Sequence, residues 1–165
     1  MRRLVILRGN SGSGKSTLAR RLQHALGRNT LVISQDAVRR EMLWVRDGPD
    51  TPALPLLTVL LRYGHEHSAA TILEGILDSD CYRPLFQEAV DLFGENIFAY
   101  YYDLPFEETL RRHETRSNRF EFGEEAMRRW WKEKDYIGFI PEKTIGPDVT
   151  LEAAAEWILS EIITV

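Results

Sequence analysis

Residues 9–16 read Gly-Asn-Ser-Gly-Ser-Gly-Lys-Ser, and this octapeptide constrains the chain more than any other feature. It fits the pattern G-x-x-x-x-G-K-[ST] in full. The glycines open backbone angles closed to other residues, so successive N–H groups can turn inward onto phosphate oxygens. The run Leu4, Val5, Ile6, Leu7 precedes it, and Leu18, Leu22 and Leu26 recur four residues apart after it. That context predicts a buried strand at 3–8, a loop at 9–14 and an amphipathic helix at 15–26, stopped by Gly27. The helix start adds unpaired N–H groups and a positive dipole end. Gly9, Asn10, Ser11, Gly12, Ser13, Gly14, Lys15, Ser16 and Thr17 are therefore assigned to a nucleotide. Lys15 places a charge on its outer phosphates, and the Ser16 hydroxyl serves Mg²⁺.

The rest of the chain repeats the alternation. Strands are expected at 30–33, 71–73, 97–103 and 143–145. Helices are expected from about Asp36, at 55–67, 84–93, 106–116 and 124–134, and at 151–163 with Thr150 as N-cap. Such a sequence folds as an α/β domain: a five-stranded parallel sheet with helices on both faces and a small helical lid at about 111–134. The length of 165 residues suits a single domain. Right-handed crossovers bring the strand-to-helix loops to one sheet edge, where ligands bind.

Three further groups of residues fall in those loops. Glu74 ends the strand at 71–73, where a carboxylate can hold Mg²⁺ with Ser16 or orient a substrate-binding Arg. Asp36 follows the second strand. It suits acceptance of a hydroxyl proton during phosphoryl transfer, the alternative being a helix N-cap. Arg39, three residues on, shares its face and suits an anionic group of the acceptor. Arg112 and Arg116, four apart in a basic stretch, can close over the transferred phosphoryl; solvated pairing with glutamates is the alternative. The polar spacer 117–123 reads as a lid. Trp130 and Trp131 are read as core rather than acceptor-stacking groups, His65 and His67 as surface, Cys81 as structural, and Asp103 as a turn residue.

Composition excludes several classes. A single Cys81 leaves no disulfide framework and no Cys-rich zinc site, and it suits a reducing cytoplasm. No apolar run approaches the ~18–20 residues of a membrane span. The net charge of −4 argues against a dedicated duplex-DNA binder. No Asn-Lys-x-Asp motif speaks for guanine, and nothing in the pattern calls for an obligate protein partner.

Taken together, these residues resemble the P-loop kinases that phosphorylate hydroxyls of small molecules or nucleic-acid ends. In size and layout the chain is similar to chloramphenicol-phosphotransferase-like and zeta-toxin-like kinases. Locally it resembles the kinase domain of phage-type polynucleotide 5′-hydroxyl kinase. That family follows its P-loop with a general-base Asp and, three residues on, a phosphate-binding Arg, as at Asp36 and Arg39. It then has an acidic strand end, usually Asp, where Glu74 stands. An aspartate–apolar–proline–aromatic segment follows, matched by residues 103–106, and two lid arginines four apart, matched by Arg112 and Arg116. The resemblance implies an ATP- and Mg²⁺-dependent kinase with Lys15, Asp36, Arg112 and Arg116 catalytic. Its acceptor would be a small hydroxylated molecule such as a nucleoside, sugar or antibiotic. The alternatives are a 5′-hydroxyl nucleic-acid kinase and, in another class, a nucleotide-switched binding protein or NTPase.

Overall fold

The computed structural model describes residues 2–116 and 119–164. Five strands form the sheet: β1 (Arg3–Gly9), β2 (Thr30–Ser34), β3 (Ala70–Gly75), β4 (Ile97–Tyr102) and β5 (Glu142–Ile145). All neighbours pair parallel in the order β2-β3-β1-β4-β5. The central strand β1 is buried on both faces, as a continuous apolar run requires.

Side-chain alternation divides the interior in two. Leu4 and Ile6 of β1 join Leu73 and Ala99 on one face. There they meet Leu57 and Leu61 of α2 (Ala53–His67) and Leu85, Phe86 and Ala89 of α3 (Arg83–Phe93). Val5 and Leu7 point the other way with Ile72 and Tyr100. There they meet Leu18 and Leu22 of α1 (Lys15–Leu26) and Ala154, Ile158 and Ile162 of the last helix (Leu151–Thr164). Thr150 caps that last helix, as expected, by accepting the Ala153 N–H at 3.1 Å. Among the described residues, no helix is long and apolar enough to cross a membrane.

Two elements depart from the sequence reading. Residues Ala37–Met42 wind as a π-helical segment rather than an ordinary helix. The basic stretch holds two helices, as expected, α4 (Phe106–Glu114) and α5 (Glu124–Trp130), but α5 ends four residues earlier than expected. Trp131 is already extended and Lys134 has a φ of 49°, which no helix tolerates. Residues 131–135 instead run back toward β1. Ser117 and Asn118 of the expected lid spacer lie outside the described residues.

Candidate active site

The loop after β1 has the geometry its glycines anticipate. Gly12 sits at φ 82°, and a Cβ there would come within 2.5 Å of the Thr109 carbonyl oxygen. Only glycine lets the loop pack this closely beneath α4. Lys15 lies in the first turn of α1, buried, with Nζ donating to the Asn10 carbonyl at 2.9 Å and to Ser13 Oγ at 3.2 Å. Burial lowers its pKa to about 8, against the pull of Glu74 and Asp36. Ser16 and Thr17 are exposed one residue further on.

Glu74 is buried at the end of β3 and accepts a hydrogen bond from Ser16 Oγ at 3.1 Å. The pair offers hard oxygen donors beside the phosphate loop. Among the described residues no group of three or more His, Cys, Asp or Glu forms a metal cage. Mg²⁺ fits such a pair, because it is commonly held by one or two protein oxygens plus substrate phosphates and waters.

Asp36 is not a helix cap. Its own backbone is helical and its carboxylate makes no capping bond; Ser34 Oγ accepts the Ala37 N–H instead. The Asp36 carboxylate is 63% exposed and is approached by Arg39 at 3.2 Å and Arg40 at 3.8 Å. Arg39 is the more buried of the two and also donates to the Val45 carbonyl. The Nε of both arginines is buried without a hydrogen-bond acceptor.

The two lid arginines part company. Arg112 is tethered, donating to Glu108 at 2.8 Å, to the Ser13 carbonyl at 2.8 Å and to the Pro147 carbonyl at 3.3 Å. The paired Arg111 and Arg112 hold the Glu108 carboxyl well below its usual range. Arg116 makes no side-chain hydrogen bond or ion pair among the described residues. Burial works against its charge, and Glu74 and Asp36 offset that cost. It therefore points its field at the same carboxylates that flank Lys15.

One loop walls two cavities. Its first residues, 9–11, share a cavity of about 590 Å³ with Asp36, Arg39, Arg40, Arg46, Asp47, Trp130 and Trp131. Its later residues, Ser13, Gly14 and Thr17, open on a second cavity of about 540 Å³ under Arg112, Arg116 and residues 147–151. Both tryptophans thus leave the core role expected for them. Trp130 is 41% exposed, and Trp131 is half-buried against the edge of Phe106. Cys81 is half-buried in the same cavity wall, while His67 is exposed and His65 packs against the edge of Phe93.

The cavity floor rests on residues that local sequence reading missed, tied to Asn10 of the phosphate loop. Arg8, wholly buried, donates to the Leu77 carbonyl, the Asp135 carbonyl and carboxylate, and Glu142. Asp135 in turn accepts from Ser79 Oγ at 2.6 Å. Gln35 accepts the Leu77 N–H and donates to Asp47 and to the Tyr82 hydroxyl. Asn10 exchanges two bonds with the Lys132 backbone, at 2.7 and 2.9 Å. The only advance sign was an arginine, Arg8, at the end of an apolar strand.

This sheet order and loop placement define the fold shared by P-loop kinases. The chain superposes on a gluconokinase from Sinorhizobium meliloti 1021 with a TM-score of 0.72 at 15% identity, covering 98% of this chain and 92% of that one. It matches the Mycobacterium tuberculosis APS kinase bound to AMPPNP and APS with a TM-score of 0.66 at 18% identity, covering 99% and 98%. It matches a shikimate-bound shikimate kinase from Acinetobacter baumannii with a TM-score of 0.59 at 19% identity, covering 98% and 93%. Among curated proteins, none matches the sequence. The AAA domain profile matches residues 4–133, and the chain belongs to that family.

Proposed function

We propose that this protein is a phosphotransferase that moves the γ-phosphate of ATP to a hydroxyl of a small-molecule acceptor. The carrying observation is the division of the phosphate loop between two cavities, one with Asp36 on its wall and one under the lid arginines. A nucleotide in the second cavity sets its phosphates on Lys15 and its terminal phosphate toward the first. The resemblance to kinases of hydroxylated acceptors supports the same assignment.

In the reaction, Asp36 accepts the acceptor hydroxyl proton as that oxygen bonds to the γ-phosphorus. The bond from the γ-phosphorus to the bridging oxygen breaks, and ADP leaves with the charge. Lys15 and Arg116 hold the charge that builds on the transferred group, in a site where desolvation strengthens each interaction. Ser16 and Glu74 would hold Mg²⁺, which when bound neutralises charge on the phosphates. Arg39 keeps Asp36 oriented and available, and is placed to receive an anionic part of the acceptor. A cytoplasmic site of action, where ATP–Mg²⁺ is plentiful, goes with this reading.

A second reading, transfer to a nucleic-acid 5′-hydroxyl, draws on Trp44. This residue is 91% exposed in a left-handed backbone conformation, beside Arg39, Arg40 and Arg46 in an outer groove. Exposed rings among cations are how single strands are commonly held. The test is transfer of labelled γ-phosphate to a panel of nucleosides, sugars, antibiotics and a 5′-hydroxyl oligonucleotide. Labelling of a small acceptor, absent in Asp36→Asn, is expected. Labelling of the oligonucleotide alone selects the second reading, and ATP hydrolysis indifferent to every acceptor refutes both.

A further inference from the structure

The cavity beside Asp36 holds more positive charge than its own walls consume. Asp36 engages Arg39 and Arg40, and Lys132 is engaged by Asp78, Asp80 and Asp135. The remaining carboxylate of the lining, Asp47, accepts from Tyr82 and Gln35, and Asp135 also accepts from Arg8 and Ser79. Two cations of the lining are left over. Arg46, in the loop after the π-helical segment, and Arg129, on α5, make no side-chain hydrogen bond or ion pair among the described residues. The buried Arg39 Nε adds a donor without an acceptor to the same wall, and Arg40 Nε comes no closer than 3.8 Å to Asp36. Buried donors normally have partners, so this wall is short of oxygen acceptors.

The same lining is rich in rings. Tyr101, Trp130 and Trp131 all contribute to it. Phe122 supports Trp130 from its edge and Phe106 supports Trp131, so both indoles are fixed without being covered. Aromatic walls favour planar partners, and arginines favour carboxylate or phosphate. The volume suits a drug-sized molecule. Charge at the rim disfavours a polymer: Asp80 is 89% exposed, Glu121 is 60% exposed, and the chain carries −4 overall.

We infer that the acceptor is a small ring-bearing anion, with its planar ring on Trp130 and Trp131 and its carboxylate or phosphate on Arg46 and Arg129. This rests on the phosphotransferase reading and narrows it from hydroxylated molecules in general. Neutral sugars and cationic antibiotics are poor fits.

Calorimetry on the full chain, with AMPPNP–Mg²⁺ present, tests it. The probes are 4-(hydroxymethyl)benzoate against its neutral benzamide, adenosine 3′-monophosphate against adenosine, gluconate as an anion without a planar ring, and a 5′-hydroxyl hexanucleotide. At least one ring-bearing anion should bind ten-fold or more tighter than its neutral partner and than gluconate. The Arg46→Ala/Arg129→Ala variant should erase that preference with AMPPNP affinity unchanged; both side chains are at the surface, so the fold is retained. Equal binding within both pairs, no binding by either ring-bearing anion, or a preference that survives in the variant overturns the inference. So does a hexanucleotide that binds ten-fold tighter than the mononucleotide, which moves the site to a nucleic-acid end. Labelled transfer to the same probes is read separately. Preferred binding without transfer sinks the phosphotransferase reading alone, and transfer without the preference sinks the ring-and-anion subsite alone.

Discussion

The two sides of the phosphate loop are built in opposite ways. On the nucleotide side the lysine is held locally, Lys15 donating to Asn10 and Ser13 within one short segment, while Arg112 covers that segment from across the chain. The acceptor side is assembled across the chain. Arg8 reaches Asp135 over 127 positions, and Asn10 reaches Lys132 over 122. A locally encoded site tolerates change elsewhere, whereas a wall built from distant residues falls with any one of its struts. The nucleotide side should therefore fail by chemistry, and the acceptor side by architecture.

The largest effect is expected on the nucleotide side. Lys15→Ala should cut transfer by about 10³-fold, the scale of losing a charge-stabilising donor at a reacting centre, while thermal stability holds. Steady-state transfer rates check this, and near-normal turnover would remove Lys15 from the mechanism. On the acceptor side the matching variant is Arg8→Leu. It leaves Glu142 buried without its cation and Asp135 with Lys132 alone, a loss of roughly 3–5 kcal/mol in folding stability. Urea denaturation would reveal it; an unchanged midpoint would show that the strut carries no load.

Arg112 and Arg116 sharpen the contrast within one short stretch. Arg116→Ala should lower the maximal rate by roughly 10²-fold with little change in KM for ATP, as for a group that acts in the transition state. Arg112→Ala should chiefly raise KM for ATP, since Arg112 ties Ser13 to the loop at Pro147. Equal kinetic signatures would erase the distinction drawn between a tether and a free charge.

The smallest effect concerns pH. In the free protein burial brings the Lys15 pKa down to about 8, so part of the population is neutral in mildly alkaline buffer. Bound phosphates favour the charged form and raise that pKa, so binding takes up a proton. ATP affinity should hold below pH 8 and weaken above it, by up to about ten-fold per pH unit. Affinity measured from pH 7 to 9.5 checks the sign, and a flat profile would contradict it.

What the sequence disclosed follows the same division. The octapeptide at 9–16 carried its chemistry in consecutive residues, and the alternation of apolar runs with helical spacing gave the sheet and its helices. Asp36 and Arg39 were legible because they sit three apart on one turn. Arg112 and Arg116 were legible as a pair but not in their different contacts, because Arg112 donates to Ser13 and Pro147, far away in the chain. Trp130 and Trp131 looked like core because indoles usually are; what exposes them is the break after Trp130, forced by the extended Trp131 and the positive φ of Lys134. Gln35, Asp47, Asp135 and Lys132 carried no local pattern, since each acts only through partners brought together by the sheet.

The central claim is that Asp36 takes the proton of an acceptor held against the phosphate loop. Single-turnover transfer of labelled γ-phosphate by Asp36→Asn, alongside ATP binding by the same variant, tests it most directly. The expected result is a transfer rate lower by ~10²-fold or more, with ATP affinity essentially unchanged. A variant that transfers at the wild-type rate would contradict it and leave Asp36 no more than an anchor for Arg39 and Arg40.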